Sequence, residues 1–485
     1  MKTLICFLLL ACSISFGQIE LGKELIEPDY PNTEQSLQPG GLYMPSIAEN
    51  GQIVRVLIVF VQFKDDQWNP TYPEWPKNQA PVGWMNNGFI DQTINQNSTN
   101  GNVTDYFSTM SMGHYKIIGD FKHWITSKTR SEYLNAGMQR GQINSEILSE
   151  INGEIPGINW ANYDNWTKIA PYSFAYGPDG EVDMIWMVYR NICEDPPFTA
   201  QTAFQLGFGQ PAGGGGYIKW SGVASLGVGG TLSVNGNKTI DLGNYGLVSG
   251  LCIMGGYNGL EYVKSVAIHE YGHHLLGGNN AHLNDGAWGI MYGYGKRCQV
   301  VNPFERHALG WINLIQYNYN PLLPIEIDDY VTTGQALVVQ LYNSPNSPYY
   351  LLTNHKRISP LDKIDRTSDG KGVYVLYQPG SNNSNLRFYN SEGRALWTID
   401  HYATHPTVGV QVPVYKRGLN DPSGYFDTER IGGSGGNVIE AYVDPETGSD
   451  VFEPLFAGDG KDMFKPGYVE VFNPWGNPAS YEIGF

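Results

Sequence analysis

The chain has 485 residues, a formal net charge of −17 and no lysine- or arginine-rich run, which excludes a nucleic-acid backbone as partner because such binding relies on clustered cations. Hydrophobic residues make up 41% and charged residues 16%, the balance of a globular protein rather than a disordered one. At about 100–200 residues per domain the length predicts two to four units, and 32 tyrosines, 12 tryptophans and 59 glycines favour strands and tight turns.

The first residues, MKTLICFLLLACSISFGQ, place one lysine before an apolar run and then small residues. That is the layout of a secretory signal, and it predicts cleavage after Gly17 and a secreted protein. Leu9-Leu10-Ala11-Cys12 also resembles a lipoprotein box, a less favoured reading because Cys12 sits early. With cleavage after Gly17 the mature chain keeps Cys193, Cys252 and Cys298, enough for at most one disulfide. No later apolar run approaches the roughly 20 residues needed to cross a bilayer.

Residues 18–52, rich in Pro, Gly, Asn and Glu without periodicity, read as a linker or short pro-segment. Order is predicted from Ile53. IVRVLIVFVQF (Ile53–Phe63) and MIWMVY (Met184–Tyr189) are buried-strand candidates, β-branched and nearly continuous. Between them, NVTDYFSTMSM (Asn102–Met112) opens on an N-cap residue and sets Val103, Tyr106, Phe107 and Met110 at helical spacing. Gly207–Gly250 lacks the Lys-Ser/Thr of a nucleotide loop and reads as loops and hairpins. A helix is predicted from Glu261, carrying Val263, Val266, Ala267 and Leu275 and stopping at Gly277-Gly278. Beyond about residue 325, ALVVQLY, YYLLTN, GVYVLY and YVEVF alternate with turn residues and predict a β-sheet region.

Four of the ten histidines fall between His269 and His282. His269 and His273 are four apart, so on a helix they stand one above the other and can direct two imidazoles at one ion. Glu270 lies about 100° round from His269 and can flank the metal without ligating it. This HExxH arrangement predicts a zinc site with Glu270 as general base for hydrolysis of a peptide bond. For the third ligand, His282 follows the Gly277-Gly278 turn by four residues and is the first choice, with Asp285 as the alternative. His274, about 100° from His273, is expected beside the ligands or exposed. Met291 sits in GAWGIMYGYG (Gly286–Gly295), where a thioether would pack beneath the metal rather than bind it. Tyr292 or Tyr294 could offer a hydroxyl to an oxyanion, although in so tyrosine-rich a chain ordinary packing is the favoured reading for each.

These blocks together resemble the immune inhibitor A family of secreted bacterial metallopeptidases. VRVLIVFVQFKDD (Val54–Asp66), NVTDYFSTMSMGHYKIIGDFKHW (Asn102–Trp124), GPDGEVDMIWMVY (Gly177–Tyr189) and NPFERHALGWI (Asn302–Ile312) match in order around the histidine helix, followed by YYLLTNHKR, GVYVLY and DGKDMFKPG…FNPWGNPAS in the β region. The resemblance implies an α+β fold: a metzincin-like zincin catalytic domain over 53–325, with a mixed sheet and the HExxH helix, then a mainly antiparallel β domain over 326–485. It also implies zinc, proteolysis of extracellular proteins and often bound calcium; Asp179 and Asp183 in the DGEVD turn offer hard oxygens to such an ion, or equally stand as solvated turn aspartates. The family's helix reads HExxHxxG with an acidic ligand after it; Leu276 stands at that glycine position here, and the acidic ligand adds weight to Asp285. Protein or peptide substrates are the expected partners. An adhesion or matrix-binding protein that keeps a metallopeptidase fold is the alternative, opposed by the intact Glu270.

Overall fold

The computed structural model describes residues 53–69, 74–94, 101–170, 173–227, 229–243, 249–276, 289–291, 300–316, 325–340, 348–359, 361, 371–378, 386–388, 395–406, 409–417, 429–431, 441–443 and 448–452. It is a mixed α+β protein with several sheets. The predicted signal at 1–17, the segment 18–52 and the YVEVF strand lie outside the described residues.

In chain order the first half runs β1 (Val54–Gln62), α1 (Val103–Met110), β2 (Ile117–Ile125), α2 (Arg130–Asn135), α3 (Arg140–Asn152), β3 (Trp166–Ala170), β4 (Ser173–Tyr176) and β5 (Ile185–Tyr189). It continues with α4 (Ala200–Gln205), β6 (Gly209–Pro211), β7 (Tyr217–Lys219), β8 (Gly222–Val223), β9 (Thr231–Val234), β10 (Lys238–Asp241), β11 (Gly250–Ile253) and α5 (Leu260–Leu276). The main sheet has the order β2-β1-β5-β11-β8. β2, β5 and β11 join it through parallel pairs, and β8 closes one side antiparallel to β11. The glycine-rich stretch, read from sequence as loops and hairpins, contains two antiparallel ribbons, β6 with β7 and β9 with β10.

Burial on both faces explains the unbroken apolar runs of β1 and β5. Val56, Ile58 and Phe60 of β1 share one core with Tyr106 and Phe107 of α1 and with Val263, Val266 and Ala267 of α5. Leu57, Val59 and Val61 face the opposite core, against Ile143, Ile147 and Ile151 of α3. Helix α1 starts where the sequence places its cap: Asp105 N donates to Asn102 Oδ1 at 3.0 Å.

The second half comprises α6 (Pro303–Ala308), β12 (Ile315–Gln316), α7 (Tyr330–Thr333), β13 (Ala336–Gln340), β14 (Tyr349–His355), β15 (Gly372–Gln378) and β16 (Arg387–Phe388), then β17 (Ala395–Thr404), β18 (Gln411–Arg417), β19 (Glu429–Ile431), β20 (Tyr442–Val443) and β21 (Asp450–Val451). Two five-stranded sheets result, β12-β13-β14-β15-β16 and β19-β17-β18-β20-β21. Their long pairs are antiparallel, as expected, but β12–β13, β17–β19 and β18–β20 are parallel. Val338, Leu351, Tyr374 and Leu376 of the first of these sheets belong to the same core as α1 and α5. Apolar packing therefore continues across residue 325, where the sequence suggests a boundary.

At the C-terminal ends of β1 and β5 two arginines are buried with their counter-ions. Arg190 Nη1 meets Asp66 Oδ2 at 2.6 Å, with side-chain exposures of 1% and 0%. The same carboxylate accepts from Asn191 Nδ2 and from Trp68 N. Arg130 reaches both oxygens of Asp195, at 2.5 and 2.8 Å, and adds Asp65 at 3.1 Å. Removing one partner of such a buried pair strands a charge. Asp66→Ala is expected to lower unfolding stability by about 3–5 kcal/mol, measured by denaturant titration, whereas a surface carboxylate such as Asp328 should give a far smaller loss.

Candidate metal centre

Helix α5 leaves the main sheet after β11, and its start is fixed from far away in sequence. Gly259 precedes it at φ +92°, a conformation that favours glycine. Glu74 Oε2 accepts from Leu260 N at 2.7 Å and from Trp84 Nε1 at 3.2 Å. A carboxylate at this end also suits the positive pole of the helix. From Tyr262 to Leu276 every residue of the helix is buried, so the helix passes through the protein rather than lying on it.

His269, Glu270 and His273 are exposed by only 2%, 1% and 1%, which places all three side chains inside the core. The two imidazoles meet edge to face, with ring centroids 5.0 Å apart and planes at 85°, neighbours as the i,i+4 spacing predicts. His269 Nδ1 lies 2.6 Å from the Ile290 carbonyl. A carbonyl only accepts, so Nδ1 carries the proton and Nε2 keeps its lone pair, the tautomer a metal ligand needs. The segment holding that carbonyl packs directly on α5: a Cβ on Gly272 would lie 2.6 Å from Met291 Sδ and 2.9 Å from Ile290 Cδ1. Met291 is thus a packing residue under the histidine turn, as its sequence position suggests.

His274 is buried, with its ring stacked on Tyr271 at 5.4 Å. Tyr271 in turn shares a hydrogen bond with the Tyr115 hydroxyl. Burial, above all, pushes both phenols above their ordinary pKa, so they stay neutral. The exposed alternative for His274 does not hold. Its ring belongs to the aromatic packing beside the histidine pair.

Among the described residues no group of three or more His, Cys, Asp or Glu is placed to hold a metal. The described contribution is the His269–His273 pair with Glu270 beside it; His282, Asp285, Tyr292 and Tyr294 lie outside the described residues. The acids suggested for calcium are engaged with backbone amides. Asp183 accepts from Asn165 N and Trp166 N, Asp164 accepts from Asp179 N, Gly180 N and the Lys238 ammonium, and Asp179 accepts from Glu181 N. Glu74 and the Ile290 carbonyl are absent from any sequence reading of the site, since neither belongs to a motif.

No family model matches this chain. No curated protein matches it either.

Two measurements check this geometry. Glu74→Ala should remove the helix cap and cost about 1 kcal/mol in denaturant unfolding of the metal-free protein, with Glu74→Gln retaining most of it. Burial first, then the neighbouring Asp164 and Asp179, raise the Asp183 pKa to about 8 against the pull of its two amide donors. Because this lies above the unfolded value, the folded chain holds a proton that the unfolded chain releases. The resulting stabilisation is complete below about pH 4 and is lost as pH rises through 8. Unfolding free energy should accordingly fall from pH 5 to pH 8, and Asp183→Asn should flatten that slope.

Proposed function

We propose that the protein is a secreted zinc-dependent endopeptidase of the immune inhibitor A type, acting on extracellular proteins. The observation that carries this reading is the pairing of His269 and His273 on one buried helix turn, with Glu270 beside them and the His269 tautomer set by the Ile290 carbonyl. Two imidazoles one helical turn apart with a carboxylate on the next residue suit a catalytic zinc site, in which the protein supplies three ligands and the carboxylate stays off the metal. A five-stranded sheet with three parallel pairs and one antiparallel outer strand, from which the histidine helix follows β11, supports a metzincin-like architecture. The signal-like first 17 residues support secretion. Among the described residues no helix is long and apolar enough to cross a membrane.

His269 and His273 would hold the metal, completed by His282 or by Asp285. Zinc bound there supplies an open coordination position and lowers the pKa of a water to about 7. Glu270 then takes a proton from the attacking water as its oxygen adds to the peptide carbonyl, and delivers that proton to the amine nitrogen as the carbon–nitrogen bond breaks. The hydrogen bond between the Tyr271 and Tyr115 hydroxyls ties this turn of the helix to the chain before β2.

Purified protein is expected to carry about one zinc per chain and to cleave an unfolded protein such as casein. Glu270→Ala should keep the zinc and lose at least about 100-fold in kcat, the usual worth of a general base. Cleavage that survives unchanged in Glu270→Ala refutes the mechanism. His269→Ala should lose both metal and activity.

A further inference from the structure

We propose that Gly222, on the outer strand of the main sheet, is a positioning residue that sets where the Glu270 carboxylate lies. In kinetic terms this rests on the peptidase reading above; in steric terms it does not. β8 pairs with β11 so that Gly222 stands opposite Ile253, and its α-carbon presses against α5. A Cβ built on Gly222 would fall 2.7 Å from Glu270 Cγ, 2.5 Å from Val266 Cγ1 and closer still to Glu270 Oε1. All three are well inside contact distance, and two of the three atoms belong to Glu270.

The need for glycine is spatial, because Gly222 is not among the positive-φ residues and its backbone would accept alanine. The strand has no freedom to retreat. Tyr262, on α5, donates its hydroxyl to Ser221 Oγ at 2.6 Å, and Met254 N at the end of β11 donates to Ser221 O at 2.8 Å. The residue preceding Gly222 is therefore tied both to the helix and to the neighbouring strand. Val266 is β-branched, and its χ1 on a helix is stiff. The carboxylate, at the end of an unbranched side chain, is the group that would move. A side chain as small as a methyl at position 222 thus displaces Glu270, and a misplacement of about 1 Å is enough to cost on the order of 100-fold in rate.

The test combines stability and kinetics. Gly222→Ala should lower the melting temperature of the metal-free protein in the wild-type background, and this penalty should be clearly smaller in Glu270→Ala, where the new methyl takes the space of the deleted carboxylate and only the contact with Val266 remains. In Val266→Ala it should persist. A penalty equal in all three backgrounds, or relieved only by Val266→Ala, overturns the proposal. In the zinc-loaded protein, Gly222→Ala should leave zinc content and KM near wild type and reduce kcat about 100-fold; full kcat overturns it as well. If wild type itself cleaves nothing, the peptidase reading fails while the stability cycle still decides whether Gly222 positions Glu270. Should Gly222→Ala fail to fold, Gly222→Ala with Glu270→Ala is the informative variant: recovery of a cooperative transition supports the proposal, and continued misfolding refutes it.

Discussion

A helix enclosed on every side can carry two imidazoles and a carboxylate only if the protein around it is built to hold polar groups in place, and the arrangement around α5 follows from that constraint. The Ile290 carbonyl fixes the His269 ring, Glu74 anchors the first turn, and Gly222 and Gly272 let a strand and the Met291 segment come close enough to leave no space. Each of these contacts comes from a different part of the chain. The polar face of α5 is consequently a tertiary property, which explains why a helix with little amphipathic character is stable there.

The same need recurs at the ends of β1 and β5, where Arg130 and Arg190 are buried. Both are matched by bidentate or multiply bonded carboxylates and by backbone carbonyls. Arginine cannot escape burial by losing its proton, so these ends of the sheet must keep Asp66 and Asp195 in register. That fixes the loops that follow β1 and β5. One of them leads to Glu74 and Trp75, and Trp75 packs edge-on against Phe60 of β1 at 5.3 Å. The ionic layer and the helix cap are therefore parts of one connected loop system.

Much of this was legible in the sequence where the signal is local. The unbroken apolar run at β1, the Asn102 cap of α1, the paired histidines of α5 and the glycine-rich hairpins all depend on neighbours within a few residues. Long-range contacts left no such trace. Glu74 caps a helix 186 residues away, and nothing around it marks it out. Gly222 lies in a glycine-rich stretch where composition argues for turns, yet it is the close approach to Glu270 that requires it. His274 shows the opposite case: its angle on the helix was predictable, but its burial follows from the enclosure of the whole helix, which no local pattern announces. The parallel pairs of the later sheets were likewise hidden, since alternation of residues does not reveal strand direction.

The core shared across residue 325 carries a consequence for how the protein can be divided. Val331, Val338, Leu351 and Leu376 pack into the same apolar cluster as Val263, Val266 and Tyr271 of α5. A fragment ending near 325 would lack these members of the cluster and expose to water the apolar side chains they pack against. Heat or denaturant should for this reason melt the histidine helix and the first of the later sheets in one step.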